Sequence, residues 1–165
     1  MAVMDRKLYD TTPLSPGLLA YVAEGNLIEN MQVAGTAALP FGVFGTLVVT
    51  AGQKTVRLPA SGDTAIAGVV LQSQYGQGTY EEGDSEVQAG FLASVGVRGG
   101  MVVKATTATP PVVGNSAAIS IASGTVGYLT AASSSIITLS NVVVDKILDS
   151  GLAIVTLNGA AIVGS

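Results

Sequence analysis

From Leu39 onwards, short runs rich in Val, Ile and Thr alternate with Gly, Pro, Ser and Asn, at a spacing of about 8–14 residues. β-Branched residues favour strands, and the interrupting residues favour turns. Short strands at this spacing are typical of an all-β sandwich or barrel. The predicted strands are residues 41–50, 54–58, 65–72, 86–97, 101–105, 117–121, 127–130, 136–139, 142–148 and 152–157.

Apolar and polar side chains alternate most clearly over residues 86–98. Successive side chains of a strand point to opposite faces, so this stretch is predicted to bury one face and expose the other. Residues 66–71 and 153–157 are instead apolar on both faces, which predicts central strands covered from two sides. The side chains predicted to be buried in the alternating strand are Val87, Ala89, Phe91, Ala93, Val95 and Val97.

Three glycine-containing sequences predict tight hairpin turns. They are Arg98-Gly99-Gly100, Ser61-Gly62-Asp63 and Asn158-Gly159. Glycine adopts the positive φ that such turns require without a steric cost. The first turn would separate the strand that ends near Val97 from the strand that begins at Met101.

Residues 1–37 differ in character from the rest of the chain. They carry six of the 18 charges, together with Pro13, Pro16 and Gly17, and few β-branched residues. We predict an extended or irregular N-terminal arm over residues 1–37 and a β-sandwich domain over residues 38–165. The large apolar side chains of the arm either pack on the chain's own sandwich or dock on another subunit. These candidate contact residues are Leu8, Tyr9, Leu14, Leu18, Leu19, Tyr21, Leu27 and Ile28.

Several classes of chemistry are excluded by residue types that the sequence lacks. It contains no His, Cys or Trp. Disulfides, zinc sites of Cys or His, and Ser-His-Asp or Cys-His catalysis therefore cannot form. We expect no catalytic residues, no metal and no cofactor. Seven scattered basic residues and a net charge of −4 also predict no direct binding of nucleic acid.

An acidic cluster is the one feature that suggests a ligand. Glu81, Glu82, Asp84 and Glu86 lie within six residues, beside Gly83. We favour a solvated turn, because charged residues beside glycines are typical of exposed loops. Calcium binding through the carboxylate oxygens is an alternative, and so is a carboxylate pair for glycoside hydrolysis.

No segment reads as a membrane span or as a secretory signal. The 40 residues from Ala105 to Val144 are free of charge, but prolines, glycines and a run of serines interrupt them. Such a sequence does not suit a helix in lipid. Charges at Asp5, Arg6, Lys7 and Asp10 are not followed by a long apolar stretch, so we expect synthesis and assembly in the cytoplasm.

Ten short segments follow one another along the chain in a characteristic order. They are residues 16–20 (PGLLA), 26–30 (NLIEN), 40–44 (PFGVF), 56–59 (VRLP), 66–70 (IAGVV), 80–84 (YEEGD), 95–99 (VGVRG), 112–115 (VVGN), 124–127 (GTVG) and 151–158 (GLAIVTLN). Each segment is weakly specific alone, but their order and spacing resemble the structural cement, or head decoration, proteins of tailed bacteriophages. The resemblance covers about residues 14–158.

The resemblance implies a jelly-roll-like antiparallel β-sandwich on the outside of the phage capsid, within the virion. Its implied role is to bridge and stabilise neighbouring major capsid protein subunits without catalysis. We also predict self-association as a homodimer or homotrimer. A charged content of only 11% agrees with permanent assembly, since weakly charged surfaces are covered at little desolvation cost.

Two other functions remain open at this point. A phage or host-surface module for receptor or glycan recognition would need aromatic-rich loops, and the eight aromatic residues do not cluster. A hydrolase using the acidic cluster would need two carboxylates that face each other across a cleft.

Overall fold

The computed structural model describes residues 15–20, 26–72, 86–106, 109–121, 123–127, 135–148 and 151–159. Within these ranges the regular elements are all strands, which confirms the all-β prediction. No helix in the described ranges is long and apolar enough to cross a membrane. The strands are β1 (Leu27–Val33), β2 (Leu39–Pro40), β3 (Phe44–Thr50), β4 (Gln53–Arg57), β5 (Ile66–Leu71), β6 (Glu86–Val87), β7 (Leu92–Lys104), β8 (Ser116–Ser120), β9 (Ile136–Leu148) and β10 (Leu152–Leu157).

Eight of the strands form one sheet in the order β1-β4-β3-β5-β7-β10-β9-β8. β1 also pairs with β7, so that β1, β4, β3, β5 and β7 close into a small barrel. The β1–β4 pair is parallel, and the other pairs between named strands are antiparallel. β2 and β6 form a separate two-stranded sheet.

The 13-residue strand β7 belongs to both halves of the fold. Its first half pairs with β1 and β5, and its second half pairs with β10 through residues 99–104. The predicted hairpin at residues 98–100 is therefore wrong. Gly99 has a φ of +114° inside the strand, and a Cβ there would collide with the Asn26 side chain. This glycine permits a close approach within the strand instead of a reversal of the chain.

A turn ahead of β7 divides the strand that was predicted over residues 86–98. β6 ends at Val87, and Gly90, at a φ of +86°, lies in the turn that precedes β7. Phe91 is consequently 38% exposed, whereas Ala93, Val95 and Val97 are buried as predicted. At the other end of the sheet, β9 joins two predicted strands into one.

Residues 125–127 form backbone hydrogen bonds with β8 and with the end of β7. The Gly127 amide donates to the Ala118 carbonyl on β8, and the Val126 amide donates to the Lys104 carbonyl at the end of β7. The edge strand β8 is therefore covered by the chain itself. Covered edges limit unwanted pairing between sheets of different molecules.

Two apolar clusters lie on opposite sides of β5. Ala67 and Val70 belong to the core inside the barrel, while Ile66, Val69 and Leu71 belong to the larger core beneath β8, β9 and β10. All six residues of β5 are buried. The prediction of a central strand at residues 66–71 is confirmed, because an uninterrupted apolar run is what burial on both faces requires.

The structure confirms neither the predicted arm nor the jelly-roll sandwich. Residues 27–33, predicted as part of an extended or irregular arm, form the sheet strand β1, and Gly17, Leu18 and Ala20 make backbone hydrogen bonds to β7. The observed strands form a barrel-like core that continues into an extended sheet. Residues 1–14, the remainder of the predicted arm before these bonds begin, lie outside the described residues.

Candidate functional site

The described strands of the barrel are joined over the shortest length between β1 and β4. These strands pair only at Gln32 with Thr55 and at Val33 with Val56. Before Gln32, β1 remains paired with β7, but no described residue of β4 pairs with it. In the register of the two pairs β4 begins at Gln53, opposite Asn30, so that Ile28 extends past the start of β4. We call the edge of β1 that lies beside the start of β4 without pairing with it the open seam.

Backbone groups of β1 face the open seam. The Val33 amide donates to the Phe91 carbonyl, whereas the Ala34 amide donates to the Val56 carbonyl on β4. Hydrogen-bonding direction alternates along a strand, so even-numbered residues of β1 direct their amide and carbonyl groups away from β7. The backbone groups of Ile28 and Asn30 therefore point into the seam.

A groove flanks the seam on each side of the barrel wall. The inner groove has a volume of about 320 Å³ and is lined by residues from all five barrel strands and by Gly159. Its floor is apolar and includes Met31, Leu47 and Val97. Leu27, Glu29, Lys54 and Arg98 also line this inner groove. The outer groove is about 350 Å³ and is lined by Asn30, Gln32, Gln53, Lys54, Gly90 and Leu92.

An ion pair between β4 and β1 spans the open seam. Lys54 Nζ lies 3.0 Å from Glu29 Oε2, and the two side chains are 55% and 35% exposed. Exposed pairs contribute only about 0–1 kcal/mol to stability. The ion pair therefore joins β1 and β4 weakly at the place where their backbones do not pair.

Comparison of the chain with known protein families identifies the family to which it belongs. The family described as "Structural cement protein (E217 gp24/Pam3 gp6)" matches residues 7–158. The chain belongs to this family of phage structural cement proteins. The resemblance inferred from the sequence is confirmed, and the family gives the chain a structural, non-enzymatic role in a phage capsid and a place in the virion.

A solved structure supports the fold of this cement-family chain. A chain from a structure titled "The capsid of Myoviridae Phage XM1" superposes with a TM-score of 0.70 and 18% sequence identity. The match covers 88% of this chain and 90% of that chain. At this identity the likeness demonstrates a shared fold. The search of curated proteins found no match.

The predicted contact residues of the cement-family chain fall into three groups. Leu27 and Ile28 begin β1 at the open seam, and they are 51% and 45% exposed. Leu18 and Leu19 lie beside the second half of β7, where Leu19 forms a bridge with Met101. The structure thus places these four along one edge of β7. The candidates outside the described residues are Leu8, Tyr9, Leu14 and Tyr21.

The sequence did not predict that basic side chains lie together at the seam. Lys54 and Arg98 are far apart in the chain, and the predicted turn and the segment 95–99 that contain Arg98 do not indicate a charged groove. The two side chains line the same groove only because β1 lies between β4 and β7 in the closed barrel. The large apolar residues Leu27 and Ile28 were the signals in the sequence that pointed to this surface.

A hydrogen-bonded network steadies the strands that form the wall of the inner groove. The Asp63 carboxylate accepts hydrogen bonds from the Arg57 side chain, the buried Thr46 hydroxyl and the Ala60 amide. Burial alone would raise the pKa of the Asp63 carboxyl. The hydrogen bonds from Arg57, Ala60 and Thr46, together with the Arg57 charge, outweigh burial and hold that pKa below its usual value.

Of the predicted acidic cluster, the structure describes only Glu86. This side chain is exposed at the start of β6 and accepts a hydrogen bond of 3.1 Å from Gln88 Nε2. Glu81, Glu82 and Asp84 lie outside the described residues. Among the residues that the structure does describe, no three acidic side chains are grouped so that they could hold a metal ion.

Proposed function

We propose that this cement-family chain binds the outer surface of a phage capsid and bridges neighbouring major capsid protein subunits. The observation that carries the proposal is the family match over residues 7–158. Self-association into a homodimer or homotrimer belongs to the same proposal, since several identical copies would multiply the contacts with the shell.

The architecture suits a bridging role. A barrel and a sheet that share β7 and surround two apolar cores form a rigid body, which transmits force between its contacts. Two or more modest contacts on one rigid body raise the overall affinity far above that of either contact. Exposed apolar side chains occur at both ends of the strand order, with Leu27 and Ile28 on β1, Ile147 on β9 and Val113 shortly before β8.

Co-sedimentation with shells tests this function. Empty capsids that lack the protein are mixed with the purified chain, pelleted, and then heated while their disassembly is followed by light scattering. Saturable binding and a higher disassembly temperature are expected. No binding would contradict the proposed attachment, and binding without any change in disassembly temperature would contradict bridging.

A further inference from the structure

We infer that an extended segment of a neighbouring capsid subunit adds to β1 as a strand at the open seam between β1 and β4. This inference rests on the proposed function and specifies the surface that carries it. A strand added at a sheet edge gains main-chain hydrogen bonds for affinity and side-chain pockets for specificity.

The backbone of β1 supplies the first argument. The amide and carbonyl groups of Ile28 and Asn30 point into the seam, where no described residue of β4 pairs with them. Covering such groups with a side-chain surface would leave them without partners, which is costly. An extended backbone satisfies them. By contrast, residues 125–127 already cover the edge of β8, the last strand in the sheet order.

The two grooves define the side chains that the added strand would carry. The floor of the inner groove is apolar, with Met31 only 2% exposed and Leu27 half exposed at its rim. The outer groove presents Asn30, Gln32 and Gln53. Because side chains alternate along a strand, the segment should be apolar at every second position and polar between them.

The charge of the inner groove indicates that the added capsid segment carries an acidic residue. Lys54 and Arg98 line the inner groove together with a single anion, Glu29. The groove therefore carries a net positive charge, which complements a carboxylate on the incoming strand. A second copy of this chain fits less well, because symmetric pairing through the seam would bring together the cationic side chains of both copies.

Hydrogen exchange on shells provides the direct test. Wild-type chain is exchanged alone and when bound to capsids that lack it, and the peptide that contains residues 27–32 is compared by mass spectrometry. Protection of about two further amides, those of Ile28 and Asn30, is expected on binding. Bound wild-type chain with no added protection in this peptide would overturn the inference.

Two pairs of variants separate the backbone and charge arguments. Ile28→Pro removes the amide that faces the seam, and Ile28→Val keeps it. Arg98→Glu reverses a charge in the groove, and Lys146→Glu reverses an exposed charge on β9. Ile28→Pro and Arg98→Glu should each weaken shell binding at least about tenfold. Ile28→Val should bind shells at least about tenfold more tightly than Ile28→Pro, because it keeps the amide, and Lys146→Glu should bind like wild type. Equal binding by Ile28→Pro and Ile28→Val, together with equal binding by Arg98→Glu and Lys146→Glu, would overturn the inference.

The remaining outcomes identify other occupants or a failure of the proposed function. Circular dichroism checks the fold of each variant. If Ile28→Pro does not fold, shell binding by Arg98→Glu alone tests the inference. Protection in the free chain that disappears on dilution would assign the seam to a second copy. Protection that disappears on removal of residues 160–165 would assign it to the chain's own C-terminus. Either result contradicts a capsid segment, and failure of wild type to bind shells contradicts the proposed function itself.

Discussion

Arg57 and Asp63 form a two-point ion pair that fastens the connection between β4 and β5 to the barrel. Arg57 Nη2 lies 2.6 Å from Asp63 Oδ1, and Arg57 Nη1 lies 3.0 Å from Asp63 Oδ2. The second carboxylate oxygen also accepts hydrogen bonds from Thr46 on β3 and from the Ala60 amide. Side chains of β3 and β4 and a backbone amide of the connection after β4 therefore converge on one carboxylate beside the strands that form the inner groove.

Replacing this carboxylate should destabilise the chain. Asp63→Asn keeps the size of the side chain but removes the charge that strengthens its hydrogen bonds. We expect the free energy of unfolding to fall by about 1–3 kcal/mol, measured by urea denaturation. Glu29→Gln, which removes the exposed ion pair at the open seam, should cost less than about 1 kcal/mol. Equal costs for the two variants would contradict the importance of the Arg57–Asp63 pair.

The same carboxylate predicts how stability depends on pH. The pKa of Asp63 in the folded chain lies below the value of about 3.9 for an unperturbed aspartate. As pH falls below about 4, the unfolded chain binds this proton before the folded chain does, so the contribution of Asp63 to stability is lost. The gap in unfolding free energy between wild type and Asp63→Asn should be largest above about pH 5 and should narrow towards about pH 3. A gap that stays constant over this range would contradict the lowered pKa.

The contact between β5 and β7 depends on a glycine. Gly68 has a φ of +149°, and a Cβ at this position would meet the carbonyl oxygen of Gly96. Gly68→Ala should therefore force the strands apart and cost about 2–5 kcal/mol. Gly62 lies in the exposed turn with a φ of +84°, and a Cβ there would have no neighbour within 4 Å. Gly62→Ala should therefore cost only about 1–2 kcal/mol. Thermal denaturation of both variants checks the difference, and a Gly68→Ala variant as stable as Gly62→Ala would contradict the close approach.

Much of the fold follows from local sequence, and the clearest case is β5. Its six residues form an uninterrupted apolar run, and burial on both faces is the natural consequence. β1 gave no such signal, because only Met31 and Val33 of its seven residues are buried. Pairing with β7, whose partner residues lie 60 to 71 positions further along the chain, determines that these residues form a strand.

The open seam depends on long-range register and therefore could not be predicted. Gln32 and Val33 pair in parallel with β4, and before these residues no described residue of β4 pairs with β1. Gly99 and Gly100 similarly suggested a turn by their local chemistry, although they lie inside β7 opposite Leu157 and Thr156. Local sequence indicates where the chain has freedom to bend, while distant contacts determine how that freedom is used.

We predict that residues 1–14 make a second contact with the shell. Deletion of residues 1–14 should leave the barrel folded, because β1 begins at Leu27 and the bonds of Gly17 and Leu18 to β7 remain. Shell affinity should fall, and full-length variants with Leu8→Ser or Tyr9→Ser should show part of the same loss. Circular dichroism and co-sedimentation measure the two effects. A truncated chain that decorates shells like wild type would contradict the arm contact.

A reconstruction of the intact phage particle by electron cryo-microscopy would show directly whether the chain bridges capsid subunits. We expect density for this barrel on the outer surface of the capsid, in contact with at least two major capsid protein subunits. An extended segment of one subunit should lie along β1 at the open seam. Absence of the chain from mature capsids, or contact with a single subunit only, would exclude the bridging role.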